Sequence, residues 1–272
     1  MGGAQRGPPR LSLREDPLLG PRGTTALNPP LLSVVIPAFN EAERLPPTLL
    51  AIRRFLDGWG RPYEIVVVDD GSTDATWTRA REAGGDALTA LSNDRNRGKG
   101  YSVRRGMLAA RGQLVLMSDA DLSTPIEELP RLLSRLDDGH DIAIGSRALP
   151  ESRVEVRQPW YRESAGRLFN VLVRLFVLPG LHDTQCGFKL FTAKAARLAF
   201  EPARLPGFSF DVETLFIARR RGLKIAEVPV TWKNDAATRV GLGRGAQAFF
   251  DLLRIRRNAF AGRYDGPRPQ GL

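Results

Sequence analysis

Leu114-Val115-Leu116-Met117-Ser118-Asp119-Ala120-Asp121 is an apolar run that ends in two acidic residues. It predicts a buried strand, and the strand period of two would send both carboxylates to one side while the backbone remains extended. Two close carboxylates repel each other unless a cation lies between them. Mg²⁺ or Mn²⁺, held by one or two carboxylates together with diphosphate oxygens and water, would remove that repulsion. The alternative is an acidic cluster that complements the dipole of the following helix.

Other short β-branched runs alternate with helical patterns along the chain. The clearest strands are predicted at Leu32–Ile36, Glu64–Val68, Leu114–Met117 and Ile142–Ile144. Helices are predicted at Thr48–Leu56, Asp74–Ala83, Gly100–Ala110, Tyr161–Val177, Val212–Arg221 and Ala246–Arg257, and a further one after Thr124-Pro125-Ile126-Glu127, a capping box with Pro at the first helical position. This alternation predicts an α/β fold with a mainly parallel sheet.

The composition is that of a globular protein. Of the 272 residues, 42% are hydrophobic and 26% are charged, which is enough to bury a sizeable core. Residues 1–30 are rich in Gly, Pro and Arg without periodic apolar residues, so we expect a disordered N-terminal tail. One domain is predicted at 31–261, followed by a flexible C-terminal tail at 262–272.

The composition also indicates where the protein is located and what it binds. The single Cys186 cannot form an intramolecular disulfide, which favours a reducing, cytoplasmic location. We expect no secretion signal and no spanning helix, since no apolar run reaches about 18 residues. The net charge of +10 predicts anionic partners, such as a membrane surface or a phosphorylated substrate. Nucleic acid is not expected, because no binding module or set of stacking aromatics is recognisable.

Three further motifs carry possible chemistry. Pro37–Glu41 follows the first strand in place of G-x-G-x-x-G, so a nicotinamide-binding unit is not expected. Asp69–Asp74 follows the second strand, where carboxylates can accept hydrogen bonds from a base or a ribose; helix capping by Ser72 and Asp74 explains the same residues. Asn96–Gly100 combines small residues and cations at a helix start, which suits a diphosphate, although a Gly-rich turn with a solvated lysine is also compatible.

Taken in order, Val35–Glu41, Val68–Asp74, Asn96–Gly100 and Asp119–Asp121 resemble the motifs of family 2 glycosyltransferases. The fold of that family is called GT-A, with a Rossmann-like sheet. Asp183–Phe191 and Phe210–Glu213 are similar to the dolichyl-phosphate glucose synthase branch, and less closely to dolichyl-phosphate mannose synthases. The resemblance covers roughly residues 31–257.

This resemblance implies inverting transfer of glucose from UDP-glucose to a polyprenyl or dolichyl phosphate; a GDP-mannose-dependent polyprenyl-phosphate mannosyltransferase is the alternative. It implies a metal, Mg²⁺ or Mn²⁺, on Asp121. The implied nucleotide-sugar contacts are Pro37, Phe39, Glu41, Asp69, Asp70, Lys99 and Asp119. Asp183 and Gln185 could line the sugar pocket, although a turn at the start of a strand also explains Asp183. With Asp121 and Arg147 they make up the expected catalytic set.

A lipid phosphate acceptor needs cations beside an apolar surface. Arg147, Arg162 and Arg167 are the candidates, because an apolar helix continues from Leu168 with arginines positioned to lie at headgroup level. A buried core helix explains the same pattern. In mannose-synthase relatives a serine often follows the arginine by four residues, whereas here Gly166 follows Arg162. The last helix is also basic and amphipathic, so we expect a peripheral protein on the inner face of the cell membrane.

An acceptor that is already a phosphate is ionised near neutral pH, so positioning and electrostatics could supply most of the rate. No catalytic histidine is then required, and His140 and His182 are interpreted as solvent-exposed or structural. Asp119–Ser123 superficially fits a haloacid-dehalogenase-like phosphatase, but the nucleophile of that family follows the first strand. A sugar-nucleotide pyrophosphorylase would carry a Gly-rich basic signature after the first strand, and Pro37–Glu41 does not supply one.

Overall fold

The computed structural model of the protein describes residues 29–155, 160–233 and 244–265, without the side chains of 160–165, 167 and 244–246. The strands are β1 Leu32–Ala38, β2 Tyr63–Asp69, β3 Leu88–Ser92, β4 Leu114–Ser118, β5 Ile142–Ser146, β6 Arg153–Val154, β7 Phe188–Thr192, β8 Ile225–Pro229 and β9 Thr231–Trp232. The α-helices are α1 Leu45–Trp59, α2 Thr76–Gly84, α3 Lys99–Ala109, α4 Leu129–Asp137, α5 Trp160–Phe176, α6 Ala193–Phe200, α7 Phe210–Arg220 and α8 Arg244–Phe260.

Seven strands form one sheet in the order β3-β2-β1-β4-β7-β5-β8, and β6 pairs with β9 in a separate ribbon. Only β7 runs antiparallel to its neighbours in the main sheet. The prediction of a mainly parallel sheet flanked by helices is therefore confirmed. Because β7 is reversed, its first residue, Phe188, lies opposite Ser118 at the end of β4. The carboxyl ends of β1, β2 and β4 and the start of β7 thus share one edge.

The central strands of the sheet are buried on both faces, as expected for strands covered by helices on either side. All seven residues of β1 are buried. Leu32, Val34 and Ile36 belong to the apolar cluster under α1, whereas Val35 belongs to the cluster on the opposite face. The alternation of side chains along one strand therefore supplies both cores.

The predicted capping box is wrong. Pro125 has an extended ψ of 145°, a 3-10 turn follows at Ile126–Glu128, and α4 begins only at Leu129. The Thr124 hydroxyl makes no capping hydrogen bond; it lies 3.6 Å from the sulfur of Cys186. Thr124 is buried. Its side chain packs in the interior against Cys186 instead of capping a helix as the local sequence pattern predicts.

Packing at the C-terminus extends past the predicted boundary at residue 261. Tyr264 is only 1% exposed, and Asp265 pairs with Arg220 of α7 at 3.0 Å. Most of the two predicted tails, 1–28 and 266–272, lies outside the described residues. Within the part of the chain that the structure describes, no helix is long and apolar enough to cross a membrane.

Candidate active site

The site is built on the acidic residues that follow β4. The Asp119 amide donates to the Gly187 carbonyl at 3.1 Å, so the β4–β7 pairing continues one residue beyond the strand and fixes Asp119. The chain then turns: the Leu122 amide donates to the Asp119 carbonyl at 3.2 Å, and Leu122 has a positive φ of 46°. The expectation of an extended backbone through Asp121 is therefore wrong, because the strand ends at Ser118.

Asp121 nevertheless lies close enough to Asp119 for the two charges to interact. Its Oδ1 accepts the Ser123 amide at 3.0 Å. Burial, and then the charge of Asp119, raise the pKa of the Asp121 carboxyl. The surrounding protein groups thus do not fully offset the cost of a negative charge on Asp121. A bound cation would stabilise that charge.

Gly187 leaves the space that the Asp119 carboxylate occupies. A Cβ at this position would lie 1.9 Å from Oδ2 of Asp119. Glycine is therefore required at position 187 because any side chain there would collide with the Asp119 carboxylate.

Gly187→Ala is consequently expected to displace the Asp119 carboxylate from Lys99, lowering activity at least roughly tenfold and stability by about 1–3 kcal/mol. Gly58→Ala is the matched control, since Gly58 lies in α1 with no atom within 4 Å of the added Cβ. That control should gain about 0.5–1 kcal/mol from helix propensity. Urea unfolding measures the effect on stability, and initial rates measure the effect on activity. Wild-type activity in Gly187→Ala would contradict the expectation that activity depends on the position of the Asp119 carboxylate.

Lys99 brings a cation to the acidic pair. Its Nζ lies 2.7 Å from Oδ1 of Asp119, and the rings of Phe208 and Phe210 lie 5.9 and 6.0 Å from the same nitrogen. Burial alone would lower the pKa of Lys99, but Asp119 and Asp211 raise it, so the ammonium stays charged. Lys99 is also the first residue of α3, and a cation at a helix N-terminus forms a site for a phosphate.

Asp70 organises the loop that leads into α3. Its Oδ1 accepts from Asn93 Nδ2 at 2.7 Å and from the Arg97 amide at 2.9 Å, while Oδ2 accepts the Gly98 amide at 2.8 Å. Both oxygens are thus used within the protein. The predicted nucleoside contact of Asp70 stays a prediction, and the structure gives this residue a positioning contact that the sequence did not suggest.

The ends of β1 and β2 are tied together beside this loop. The Asn40 amide donates to Ser72 Oγ at 2.9 Å, and the Glu41 amide donates to Thr76 Oγ1 at 2.7 Å. Asp69 accepts the Ser72 amide at 3.2 Å and also its hydroxyl. The two predicted nucleoside motifs therefore form one continuous edge.

The other residues predicted to contact the nucleotide sugar near the end of β1 differ in how far they are exposed to solvent. Pro37 is buried within β1, and the Glu41 carboxylate is 2.6 Å from the Arg44 guanidinium. Phe39 is 40% exposed. Of these three, Phe39 offers the largest open surface to a planar base.

Arg147 and Asp183, predicted from separate arguments, form one pair. Nε and Nη2 of Arg147 lie 2.7 and 2.9 Å from the two carboxylate oxygens of Asp183, and the Arg147 amide donates to Oδ2 at 3.0 Å. The Gln185 amide donates to Oδ1 at 3.0 Å. Although burial alone would raise it, the charge of Arg147 holds the pKa of Asp183 below its ordinary value. The pair is therefore ionised at neutral pH.

The surroundings of this pair include two residues without an assigned catalytic role. The ring of Trp232 lies 5.3 Å from Cζ of Arg147, in cation–π geometry. Glu227 accepts from the amides of His182 and Asp183, each at 2.9 Å, and holds the loop before β7. His182 Nδ1 also lies 2.9 Å from Glu227, which agrees with the structural interpretation of this histidine.

A buried ion pair beneath the acidic residues was missed from the sequence. Nζ of Lys189 lies 2.6 Å from Oδ1 of Asp211 and donates to the Cys186 carbonyl at 2.5 Å. Both side chains are almost fully buried. The available signal was a lysine inside the apolar strand Phe188–Thr192, because a lysine is almost never buried without a partner.

Cys186 is buried, and burial raises the pKa of its thiol to about 11. Such a thiol is protonated at neutral pH, so Cys186 is a packing residue and not a nucleophile. Arg162 and Arg167 lie on α5, but their side chains are outside the described residues, so their acceptor role stays a prediction.

The chain is similar to known glycosyltransferases in both sequence and fold. A model of the family described as Glycosyl transferase family 2 matches residues 33–198. The Drosophila melanogaster dolichyl-phosphate beta-glucosyltransferase is 41% identical over 218 residues, 74% of this chain and 66% of the relative. The human protein of the same name is 35% identical over 83% of this chain and 74% of the relative. Glucosyl-3-phosphoglycerate synthase from Mycobacterium tuberculosis, solved with Mn²⁺, UDP and glucosyl-3-phosphoglycerate, superposes with a TM-score of 0.62 at 21% identity over 88% of this chain and 82% of that one.

Proposed function

Because the chain belongs to glycosyl transferase family 2 and has the GT-A fold that its motifs predicted, we propose that it transfers glucose from UDP-glucose to a polyprenyl phosphate with inversion. The observation that carries the proposal is the meeting of Asp119 and Asp121 with Lys99 at the start of α3. The choice of glucose and of a dolichyl-type acceptor is supported by the names of the relatives.

The donor site follows from the charges at the sheet edge. Lys99, a cation at the first position of α3, suits the diphosphate. The open face of Phe39 suits the base, and Asp69 lies at the same edge for the ribose. Asp119 is placed for the nucleotide ribose or a metal-bound water, since one of its oxygens already pairs with Lys99.

Asp121 would hold the divalent metal. In the described ranges, no three His, Cys, Asp or Glu side chains converge on one point, so a metal held entirely by the protein does not fit there. A metal held by one or two carboxylates and completed by diphosphate oxygens and water does fit, and that is the usual environment of Mg²⁺. When bound, the ion would neutralise charge on the leaving diphosphate. Mn²⁺ in the mycobacterial structure supports a divalent ion of either kind.

Transfer would proceed as a single displacement. An oxygen of the acceptor phosphate bonds to the anomeric carbon as the bond from that carbon to the diphosphate breaks, and UDP leaves on the opposite face. The phosphate is already ionised, so no residue has to remove a proton. Arg147 remains 27% exposed while paired to Asp183, and it could place the acceptor phosphate together with Arg162 and Arg167.

The test is to incubate the purified protein with polyprenyl phosphate, Mg²⁺ or Mn²⁺ and a panel of radiolabelled nucleotide sugars. Label from UDP-glucose is expected in the lipid phase. Labelling from GDP-mannose alone would replace the donor assignment with the mannosyltransferase alternative, and labelling from no sugar nucleotide would contradict the proposal.

The membrane surface is proposed to be the face formed by α5 and α8, which pack against each other. Leu252 and Ile255 of α8 are buried, whereas Phe250 is 66% and Leu175 of α5 is 71% exposed. The two helices thus cover the core with one side and present apolar side chains with the other. The same two helices carry exposed arginines at positions 174, 254, 256 and 257. Such a face suits an anionic bilayer on which the protein is peripheral.

The double substitution Leu175→Ser and Phe250→Ser is expected to weaken cosedimentation with phosphatidylglycerol vesicles roughly tenfold or more, because each apolar side chain contributes about 1.5–3 kcal/mol when buried. Leu50→Ser is the control, since Leu50 on α1 is 51% exposed but lies outside this face. Equal binding of the double variant and the control would exclude this face as the docking surface.

A further inference from the structure

The turn that follows α8 is linked to the loop before α3 through a buried carboxylate, Glu213. This residue of α7 is fully buried, and so is Tyr264 in the turn. The Tyr264 hydroxyl donates to Oε1 of Glu213 at 2.7 Å and accepts from Asn258 Nδ2 at 3.2 Å. The proposed donor and acceptor sites use none of these three side chains.

The other oxygen of Glu213 holds the segment between α6 and α7. Oε2 accepts the amides of Arg204 and Leu205 at 2.9 and 2.8 Å. Among the described residues, this carboxylate therefore accepts from two amides of one loop and from one tyrosine hydroxyl. A buried carboxylate is stabilised by such hydrogen bonds, so the geometry of residues 204–205 depends on Glu213.

That segment in turn packs on the start of α3. The Tyr101 amide donates to the Pro206 carbonyl at 3.2 Å. A Cβ on Gly98 would lie 2.4 Å from the Pro206 carbonyl oxygen, and a Cβ on Gly100 would lie 2.5 Å from the Leu205 carbonyl oxygen. The backbone of 204–207 thus touches the backbone of the loop that carries Lys99, with no side chain between them.

We propose that Glu213 and Tyr264 are positioning residues for the donor diphosphate, acting through the 204–207 segment on the start of α3. The inference rests on the proposed function for the identity of the ligand. It connects the turn that follows α8 to the start of α3 indirectly, through Glu213 and the 204–207 segment. Neither residue contacts the reacting atoms; each sets where Lys99 and the α3 amides lie.

Tyr264→Phe tests this, because it removes one hydroxyl and leaves a ring that packs against Phe216 at 6.3 Å. UDP is titrated into the protein in the presence of MnCl₂, and its affinity is measured by calorimetry. The variant is expected to bind UDP roughly fivefold or more weakly than wild type, in line with the loss of a hydrogen bond to a charged group. Hydrogen exchange of the Arg204 and Leu205 amides, which donate to Glu213, should become faster. Tyr63→Phe is the matched control, since the Tyr63 hydroxyl also donates to a carboxylate, Asp57, at 2.6 Å but on the exposed surface.

Glu213→Gln provides the conservative variant. Its amide oxygen can accept both backbone amides and its amide nitrogen can donate to the Tyr264 oxygen, so the link is kept. The Tyr264 hydroxyl proton loses its acceptor, because Tyr264 now donates to Glu213, so UDP affinity should fall, but by less than in Tyr264→Phe. Weakening equal to that of Tyr264→Phe would overturn the assignment of these hydrogen bonds as the positioning contacts.

The inference is also overturned if Tyr264→Phe binds UDP as the Tyr63→Phe control does, whatever the exchange rates. Failure of the wild-type protein to bind UDP would instead contradict the proposed function. In that case the exchange measurement, which needs no nucleotide, still decides whether Tyr264 holds the 204–207 segment.

Discussion

Asp121→Ala is expected to lower turnover at least about 1000-fold while the protein stays folded. Within the described residues, the carboxylate accepts hydrogen bonds from Ser123, and burial and the neighbouring Asp119 raise its pKa. Its ionised form is therefore not stabilised by the fold, and its removal should leave the free energy of unfolding unchanged or slightly higher. Loss of activity without loss of stability distinguishes a metal ligand from a structural carboxylate.

The measurement combines initial rates in saturating Mg²⁺ or Mn²⁺ with urea unfolding of the same preparation. Asp138→Ala serves as control, since it removes an exposed carboxylate whose partner is Arg135 at the end of α4. Asp121→Asn should be nearly as inactive as the alanine variant, because an amide retains the shape but not the charge. Near-wild-type rates in either folded variant would falsify the metal role of Asp121.

The parallel strands could be predicted from the sequence because each is specified by a short stretch of consecutive residues. The β-branched runs at β1, β2, β4 and β5 and the polar residues after them are each read from fewer than ten consecutive residues. Since carboxyl ends of parallel strands meet at one edge, the motifs at Pro37–Glu41, Asp69–Asp74 and Asp119–Asp121 could be placed together without coordinates. The structure extended these strands by one to two residues at their ends.

The reversed strand β7 could not be predicted in the same way. Its pairing with β4 and β5 joins residues far apart in the sequence, as Ser118 and Phe188 show. Two features of the site depend on that strand: the space beside Gly187 for Asp119, and the burial of Lys189 against Asp211. Likewise, Arg147 and Asp183 are 36 positions apart, so sequence reasoning named both without predicting that they form a pair.

That pairing changes what is expected of Arg147. A free arginine beside the acceptor would act by charge alone, and lysine could replace it. A guanidinium that binds both oxygens of a buried carboxylate is held in one orientation, which lysine cannot reproduce. Arg147 therefore has two linked properties: it keeps Asp183 ionised in the interior, and it presents a fixed cationic edge beside Trp232.

Arg147→Ala is expected to lower the free energy of unfolding by about 3–5 kcal/mol, because Asp183 is left buried and unpaired, and to lower turnover at least about 100-fold. Arg147→Lys should recover most of the stability and little of the activity. Chemical unfolding and initial rates with polyprenyl phosphate as the varied substrate measure the two effects.

The double variant Arg147→Met with Asp183→Asn separates the two properties. It removes both charges with similar volume, but the new amide can accept only one of the two backbone amides that Asp183 accepts. Its stability should therefore return to within about 1–3 kcal/mol of wild type. Turnover should stay as low as in Arg147→Ala, because the cation at the acceptor side is still missing. If activity returned together with stability, Arg147 would be a structural partner of Asp183 with no contact to the acceptor phosphate, and the acceptor site would then have to rest on the arginines of α5.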